Sequence, residues 1–425
     1  MQNTSRTSWV DISLFILGLL GILFYLGIGF VMAFSGLLGI ANSVDSAEAA
    51  QPILLGVMFG LIGFLLVPGA WIVFRNMTGR LEPDREARLP FALWHIPVIL
   101  IIWAIGLLAG QWAVDAPSPA WMLLPMLIPL SVFPPIWLML GLAGRGYDFR
   151  PRWRNWNALT IGATLGPFLI LITEVIVLAV LLVVVILFIV SQPEMTAKLE
   201  LLSTRMRFAQ TEQELLAVMG PLAASPAFIG VVLLAVSILV PLIEELLKPL
   251  AVWLFARQLN TRLDGFVLGA ICGAAYAIFE TGGISPAAGG DWLTLLGARG
   301  GTSLLHVATS AWMGSAIVPA MRERKILQLL GVFAMSILLH GTWNAFSIFN
   351  GLGPAAIGQP GGEWIVAAGR FSVYGLGALA TLFLALIIYQ QNRFEQQHNQ
   401  LATAAIAPGA SLPTSEPESL ETVIR

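Results

Sequence analysis

Runs of about twenty or more apolar residues recur along this chain, and they restrict its fold more than any other feature. A helix rises about 1.5 Å per residue, so about 20 apolar residues cross the ~30 Å hydrocarbon core of a bilayer. The alternation of apolar and polar residues that marks an outer-membrane barrel is not visible. The sequence therefore predicts an all-α, polytopic transmembrane helix bundle. Ten spans are expected, at about 12–34, 52–74, 91–112, 120–143, 160–190, 225–256, 265–283, 301–319, 327–349 and 367–390.

The charges of the chain predict its orientation. Only 11% of the residues are charged and the net charge is −2, which gives no indication of a nucleic-acid partner. Basic residues cluster in alternate loops, and the positive-inside rule makes those loops cytoplasmic. With ten spans, both termini are then expected in the cytoplasm. The basic residues are Arg75, Arg80, Arg85, Arg88, Arg145, Arg150, Arg152, Arg154, Arg257, Arg262, Arg322, Arg324 and Lys325.

Three regions are expected along the chain. Residues 1–223 would form an N-terminal membrane region of five spans, ending in an amphipathic loop at 191–223 that lies on the outer membrane surface. Residues 224–390 would form a second membrane region, in which ionisable side chains are frequent. Residues 391–425, rich in Ala, Pro, Ser and Glu, would be a disordered cytoplasmic tail.

Ionisable side chains occur inside four successive apolar spans of the second region. A charge in the bilayer interior costs at least ~2.5 kcal/mol, so such residues usually face partners, a cavity or a functional site. Counted along each helix from the nearest cytoplasmic charge, four of them lie about 18–24 Å deep, in one layer of the outer half of the membrane. These four are Glu245, Glu280, His306 and His340. We expect them to form one polar site between the helices.

The sixth span is too long for one straight crossing, and Pro241 and Pro249 should kink it on either side of an acidic pair. Glu244 and Lys248 are four residues apart with the acid first, which is the favourable order for an ion pair within a helix. Adjacent residues point about 100° apart, so Glu245 should face elsewhere, unneutralised by its own helix. The spacing therefore favours Glu245 as the freer acid.

Short-range spacing also places residues on common faces of the seventh and ninth spans. Gly265, Gly269 and Gly273 recur every four residues, a stripe that lets two helix backbones approach closely. His340 and Asn344 are four residues apart and so share one face of the ninth span. The first spacing predicts a close helix pair, and the second adds an amide to the polar site.

Two chemistries use these side chains. A buried glutamate could act as a general base on a water, with the histidines as proton shuttles and Asn344 donating a hydrogen bond to developing charge. The same groups could instead bind Zn²⁺, whose ligands are histidine nitrogens and carboxylate oxygens. Spacing alone leaves both chemistries open. The candidate metal ligands are Glu245, Glu280, His306 and His340.

The order of these motifs on consecutive spans resembles the PrsW family of intramembrane proteases, which is related to the CAAX prenyl endopeptidase and bacteriocin-processing superfamily. One departure is Tyr276, where the family usually has phenylalanine, and another is the long N-terminal part with five extra spans. No single motif is specific, so their order and spacing carry the resemblance. The motifs are Glu244-Glu245-x-x-Lys248, Tyr276-x-x-x-Glu280, His306 and His340-x-x-x-Asn344, within about residues 240–350.

The resemblance implies an enzyme, an intramembrane peptidase that hydrolyses peptide bonds of membrane-anchored proteins. Its substrate would be a single-span membrane protein cut near the extracytoplasmic side, and an anti-sigma-factor-like protein is one candidate. The protein would then be a multi-pass protein of the plasma membrane of a prokaryotic-type cell, with the lipid bilayer as its surroundings.

The resemblance also implies roles for the site residues. Members are commonly described as metalloproteases, which would use Zn²⁺, whereas the wider superfamily favours a glutamate-activated water and no cofactor. On the glutamate mechanism the base is Glu244 or Glu245, the histidines shuttle protons and hold the oxyanion, and Asn344 supports the oxyanion. Lys248 and Tyr276 would be supporting residues, Lys248 by keeping one glutamate ionised.

Functions of two other classes compete with proteolysis. A proton- or ion-coupled transporter also uses buried Glu and His, and Glu174 inside the fifth span favours it; this acid could pair with Lys248 or line a cavity. No repeat is visible between the two halves, which counts against transport. A catalytically inactive scaffold that binds membrane partners ranks third. The HExxH zinc motif of another intramembrane protease class is absent.

Overall fold

The computed structural model describes residues 8–42, 46–80, 87–116, 120–208, 210–284 and 291–406. Within these ranges every regular element is helical, and ten helical spans are long and apolar enough to cross a membrane. Each of the ten overlaps one of the expected spans. The predictions of an all-α polytopic bundle and of its ten spans are therefore confirmed.

The first five spans and the segment after them contain eight α-helices within the described ranges. The fifth span consists of two of them, because the helix is interrupted at Thr164. The last two fill the segment expected to lie on the outer surface, a location that stays a prediction. The eight are α1 (Trp9–Ala41), α2 (Ser46–Met77), α3 (His95–Asp115), α4 (Leu124–Ala143), α5 (Arg152–Ala163), α6 (Leu165–Val190), α7 (Pro193–Phe208) and α8 (Glu212–Ala223).

The remaining five spans and their connections contain seven α-helices in the described part of the chain. They are α9 (Pro226–Leu233), α10 (Val240–Leu247), α11 (Leu250–Phe255), α12 (Arg262–Ile284), α13 (Trp292–Glu323), α14 (Ile326–Leu352) and α15 (Glu363–Ile406). The last helix continues well past residue 391, where the tail was expected to become disordered, because its polar residues extend the same helix beyond the apolar stretch. The rest of the expected tail lies outside the described residues.

The sixth span is broken twice, as its two prolines predict. A π-helical turn at Leu234–Leu239 separates α9 from α10, and Pro241 is among the first residues of α10. Pro249 separates α10 from α11 because it cannot donate a backbone hydrogen bond. At this second break the indole of Trp253 donates to the Leu246 carbonyl at 3.0 Å. The acidic pair therefore lies on a helix of about two turns between two irregularities.

Helices α12 and α13 form the centre of the bundle. Of their most apolar stretches 78% and 83% is buried, whereas no other described span exceeds 50%. Close contact follows from three glycines of α12, each of which lies against a carbonyl oxygen of α13, and this confirms the predicted close helix pair. Gly265 faces Gly314, Gly269 faces Ser310 and Gly273 faces His306.

The basic loops lie together at one end of the bundle. Hydrogen bonds and ion pairs connect them to each other, to the start of α1 and to α15. We call this end, which holds Arg145, Arg262 and Arg322, the basic side. The contacts are Asn76–Asp11 at 3.1 Å, Tyr147–Asp264 at 2.7 Å, Arg145–Glu395 at 3.0 Å and Arg322–Asn260 at 3.0 Å.

We predict that Gly269→Ala lowers the unfolding temperature, because its new methyl group would overlap the Ser310 carbonyl, a backbone atom that cannot move aside alone. Overpacking of this kind costs about 1–3 kcal/mol. Thermal unfolding in detergent, followed by tryptophan fluorescence, measures the change. The control is Gly331→Ala on α14, where nothing lies within 4 Å of the added methyl group. Equal melting temperatures for the two variants would contradict the close α12–α13 contact.

Candidate active site

A buried ion pair lies at the end of α10. The Lys248 ammonium is 2.5 Å from Glu245 Oε1 and 3.5 Å from Glu244 Oε2. Lys248 and Glu245 are at most 1% exposed. The prediction that Glu244 is the closer partner and Glu245 the freer acid is therefore wrong. Residues three and four apart are both neighbours on a helix, so spacing could not decide between them.

The two histidines connect this pair to the neighbouring helices. His340 Nδ1 on α14 is 2.7 Å from Glu245 Oε1. His306 on α13 has its Nδ1 3.0 Å from the Lys248 ammonium and its Nε2 2.5 Å from Glu280 Oε2 on α12. Both histidines are buried. The side chains that depth counting placed in one layer thus form one connected network across four spans.

Arg299 is a member of this network that the sequence analysis missed. Its guanidinium lies 2.8 Å from Glu280 Oε2 and 3.2 Å from Glu280 Oε1, a bidentate arrangement. The expected eighth span began at residue 301, which left Arg299 in a loop, whereas α13 begins at Trp292. The available signal was its position seven residues before His306, two helical turns away on the same face.

Both histidines have the same arrangement around Glu244. Each has one ring nitrogen against a carboxylate, and the other lies near Glu244 Oε2: His306 Nδ1 at 4.0 Å and His340 Nε2 at 3.9 Å. This oxygen is buried and has no hydrogen-bond partner among the described residues. The tautomers follow from the partners, since a nitrogen against a carboxylate carries the proton. The second nitrogen of each ring is then an acceptor.

Glu244, His306 and His340 could hold a metal ion. One ligand atom from each lies within 4.8 Å of the others, and all three residues are buried. Tetrahedral zinc with bonds of about 2.0–2.1 Å places its ligands about 3.3 Å apart. Binding would therefore draw these atoms together and displace the Lys248 ammonium from His306 Nδ1, which it contacts at 3.0 Å. Of the metal ligands expected from sequence, the two histidines belong to this set. Glu245 and Glu280 instead contact the outer nitrogens of the histidine rings, where a carboxylate orients the ring of a metal-binding histidine.

The other residues singled out in the sequence lie around this network. The Tyr276 ring packs edge-on against His306, with 5.1 Å between ring centroids, and its centroid is 5.7 Å from the Lys248 ammonium. Asn344 points elsewhere: its amide donates to the Val236 carbonyl of the π turn at 2.8 Å. To act on an oxyanion it would have to give up that bond.

Glu174 on α6 does not take the partner proposed for it. The ion pairs of Lys248 within the described residues are with Glu244 and Glu245. Glu174 is half-buried, and its Oε1 lies inside the protein with no hydrogen-bond partner in that part of the chain.

A buried network of carboxylates and histidines inside a ten-span bundle is compatible with a membrane-embedded hydrolase. The model of the PrsW family intramembrane metalloproteases matches residues 150–374, more than half of the chain. The chain belongs to this family; it is an intramembrane peptidase, a multi-pass membrane protein whose substrates are membrane proteins. Neither the comparison with curated proteins nor that with solved structures gave a match.

The family match extends further than the resemblance drawn from the motifs. It begins at Arg150, so it includes the fifth span and the segment at 191–223. The division of the chain at residues 223 and 224 stays a prediction. The first four spans, α1 to α4, precede the matched residues.

We predict that Lys248→Met costs about 3–5 kcal/mol of stability, because it leaves Glu245 charged and buried without its partner. Thermal unfolding in detergent measures the loss. The double variant Lys248→Met/Glu245→Gln should recover part of it, because the stranded charge is gone. Lys325→Met is the control, since Lys325 forms an exposed pair with Glu323 and such pairs contribute about 0–1 kcal/mol. A Lys248→Met protein that melts like the control would contradict this account.

Proposed function

We propose that this chain cleaves single-span membrane proteins at a site centred on Glu244, with a divalent metal ion held by Glu244, His306 and His340. One observation carries the proposal: both histidines are fixed by carboxylates at their outer nitrogens and turn their other nitrogens toward Glu244 Oε2, a buried oxygen that has no hydrogen-bond partner among the described residues. Three ligands of this kind leave further positions for water and substrate, as catalytic zinc sites do.

The charge balance of the network supports a bound cation. Counted as ionised, Glu244, Glu245 and Glu280 face two cations, Lys248 and Arg299. One negative charge then remains uncompensated in a buried site, where isolated charges are costly. A divalent ion such as Zn²⁺ would offset it, polarise a peptide carbonyl and make its bound water more acidic.

The protein's own groups have distinct tasks in this proposal. Glu245 accepts a hydrogen bond from Nδ1–H of His340, and Glu280 accepts one from Nε2–H of His306. These two bonds fix the orientation of both rings. Lys248 neutralises Glu245 and donates to His306 Nδ1 when no metal is bound. Arg299 keeps Glu280 in place from the other side.

The metal-free mechanism would use the same glutamate. Glu244 is better suited than Glu245 to accept a proton from water, because one Glu245 oxygen already accepts from Lys248 and His340. The Glu244 side chain is also 7% exposed, against 0% for Glu245. In both mechanisms Glu244 lies at the reacting centre.

The position of the site supports cleavage near the extracytoplasmic side. Glu280 lies four residues before the end of α12 at Ile284, about 6 Å along the axis, whereas the start of α12 belongs to the basic side. The positive-inside rule assigns the basic side to the cytoplasm. A substrate helix is unwound most easily near its end, where water can satisfy freed backbone groups. The proposed substrates are single-span proteins of the plasma membrane, an anti-sigma-factor-like protein being one candidate.

Membership of a protease family favours hydrolysis over the competing function of proton- or ion-coupled transport. Buried Glu and His residues would serve either function. The carboxylate at each outer histidine nitrogen favours fixed rings, whereas a proton relay requires rings that exchange protons with both neighbours.

We predict that protein purified in detergent carries about one metal ion per chain by elemental mass spectrometry. The double variant His306→Ala/His340→Ala should lose this metal, because two of three ligands are gone. Glu174→Gln should keep it, since Glu174 lies outside the ligand set, and it serves as the control. Active wild-type protein without stoichiometric metal would exclude the metal mechanism and leave Glu244 as the base acting on water.

We predict that Glu244→Gln lowers cleavage at least about 100-fold, because it removes the carboxylate at the reacting centre under either mechanism. Quantitative mass spectrometry of new N-termini in membrane fractions compares cells that express the wild type with cells that express the variant. Glu174→Gln should leave the cleavage products in place. Cleavage that persists in Glu244→Gln would exclude a site centred on this residue.

A further inference from the structure

A cavity of about 290 Å³ lies between four helices at the basic side, and residues of α12, α13, α14 and α15 line it. The Arg262 guanidinium donates to the Gln328 amide oxygen at 3.0 Å, which joins α12 to α14. The rings of Phe266 and Phe394 join α12 to α15, with 5.4 Å between their centroids. The cavity is therefore enclosed by helices that contact one another at the same level.

The lining of the cavity changes from polar to apolar along α14. Gln328 lies in the first turn, and Val332 and Met335 follow it on the same face, four and seven residues further on. Because α14 begins at the basic side, Met335 lies about 10 Å deeper in the membrane than Gln328. Met335 precedes His340 by five residues, so the cavity lies at a different level of α14 from the candidate active site.

The same change occurs along α15, which runs in the opposite direction. Leu386, Gln390, Arg393 and Gln397 line the cavity and recur at intervals of three and four residues, so they share one face. Leu386 lies about 10 Å deeper than Arg393, the interval found on α14. Both helices thus give the cavity a polar end at the basic side and an apolar end in the membrane. This is the distribution that an amphiphile requires, with a headgroup at one end and a hydrocarbon chain at the other.

The polar end of the cavity is cationic. Its charged residues are Arg262 and Arg393, and no carboxylate among the described residues lines it. The contacts of both guanidinium groups are with neutral partners. Arg262 contacts the Gln328 amide, and Arg393 lies over the Tyr389 ring, 5.9 Å from its centroid. A guanidinium stacked on a ring keeps its N–H edges available for an anion.

The acids near the cavity pair with other cations. Each lies within two residues of a residue at the basic side, and each has its own basic partner there. The carboxylates therefore do not neutralise the two arginines of the cavity. The three ion pairs are Asp264–Arg154 at 3.7 Å, Glu395–Arg145 at 3.0 Å and the exposed pair Glu323–Lys325.

We propose that this cavity binds one anionic phospholipid of the cytoplasmic leaflet. The phosphate would lie between Arg262 and Arg393, and the first part of one acyl chain would lie against Val332, Met335 and Leu386. Basic pockets between transmembrane helices on the cytoplasmic side suit anionic lipid headgroups, and the positive-inside rule assigns the basic side to the cytoplasm. A free phosphate ion would leave the apolar end unfilled.

The first test is native mass spectrometry of the full chain, purified from micelles that contain equal amounts of phosphatidylglycerol and phosphatidylcholine. Wild-type protein should retain one phosphatidylglycerol, with a preference of about tenfold or more over phosphatidylcholine. Arg262→Gln/Arg393→Gln should abolish this preference, whereas Arg262→Lys/Arg393→Lys, which keeps both charges, should retain most of it. The control, Arg80→Gln/Arg257→Gln, removes two charges that do not line the cavity and should retain the lipid.

The second test concerns the apolar end. Val332→Trp places a large ring inside the cavity and should lower the amount of bound lipid about tenfold. Leu330→Trp is the matched control, because Leu330 is 54% exposed and lies outside the lining. It adds the same ring to another face of α14 and should leave the bound lipid unchanged.

Several results would overturn the proposal. An equal loss in Arg80→Gln/Arg257→Gln would mean that lipid follows the overall charge of the basic side. Full retention in Val332→Trp would mean that no acyl chain enters the cavity, and displacement of the lipid by millimolar inorganic phosphate would identify a site for a free anion. A loss of lipid counts only if the unfolding temperature of the variant equals that of its control; with a lowered temperature, the lysine variant decides, and loss of lipid there would contradict binding through charge.

Discussion

The ion pair between Lys248 and Glu245 is the interaction on which the rest of the site depends. It is shielded from solvent, so neither charge is stable there without the other. Each of the two groups also makes a hydrogen-bonding contact with a histidine of a neighbouring span. Lys248 reaches His306 on α13, and Glu245 reaches His340 on α14. A short helix between two breaks thereby fixes the orientation of two rings that it does not carry.

Much of the fold follows from the thickness of the membrane. A hydrocarbon core of ~30 Å sets the length of every apolar run, which is why ten spans could be predicted. The two prolines predicted the breaks on either side of the acidic pair, which lie at Leu234–Leu239 and at Pro249. The ends of the helices could not be predicted, because a helix continues into water once it has begun. For this reason α13 begins at Trp292, nine residues before the expected span, and Arg299 was missed.

The depth of the site residues in the membrane could be predicted, but the contacts between them could not. Distance along each helix placed Glu245, Glu280, His306 and His340 in one layer because rise per residue is constant. The contacts between atoms depend on the rotation of each helix about its axis and on the side-chain torsion angles. The spacing of residues in the sequence determines neither of these. Asn344 illustrates the limit: it shares a face with His340, yet its amide is used by a carbonyl of the π turn.

That π turn has a consequence for the register of the sixth span. A π turn accommodates one residue more than an α-helix of the same length, so everything after it is rotated by about 100° relative to an unbroken helix. The direction of Glu244 and Glu245 is thus set at Leu234–Leu239, one to two turns before the acids themselves. Loss of a single residue there would preserve hydrophobicity and every motif, yet turn both carboxylates away from the histidines. A family member that lacks one residue in that stretch would therefore keep the motif residues in its sequence, yet would not bring the two carboxylates to the histidines.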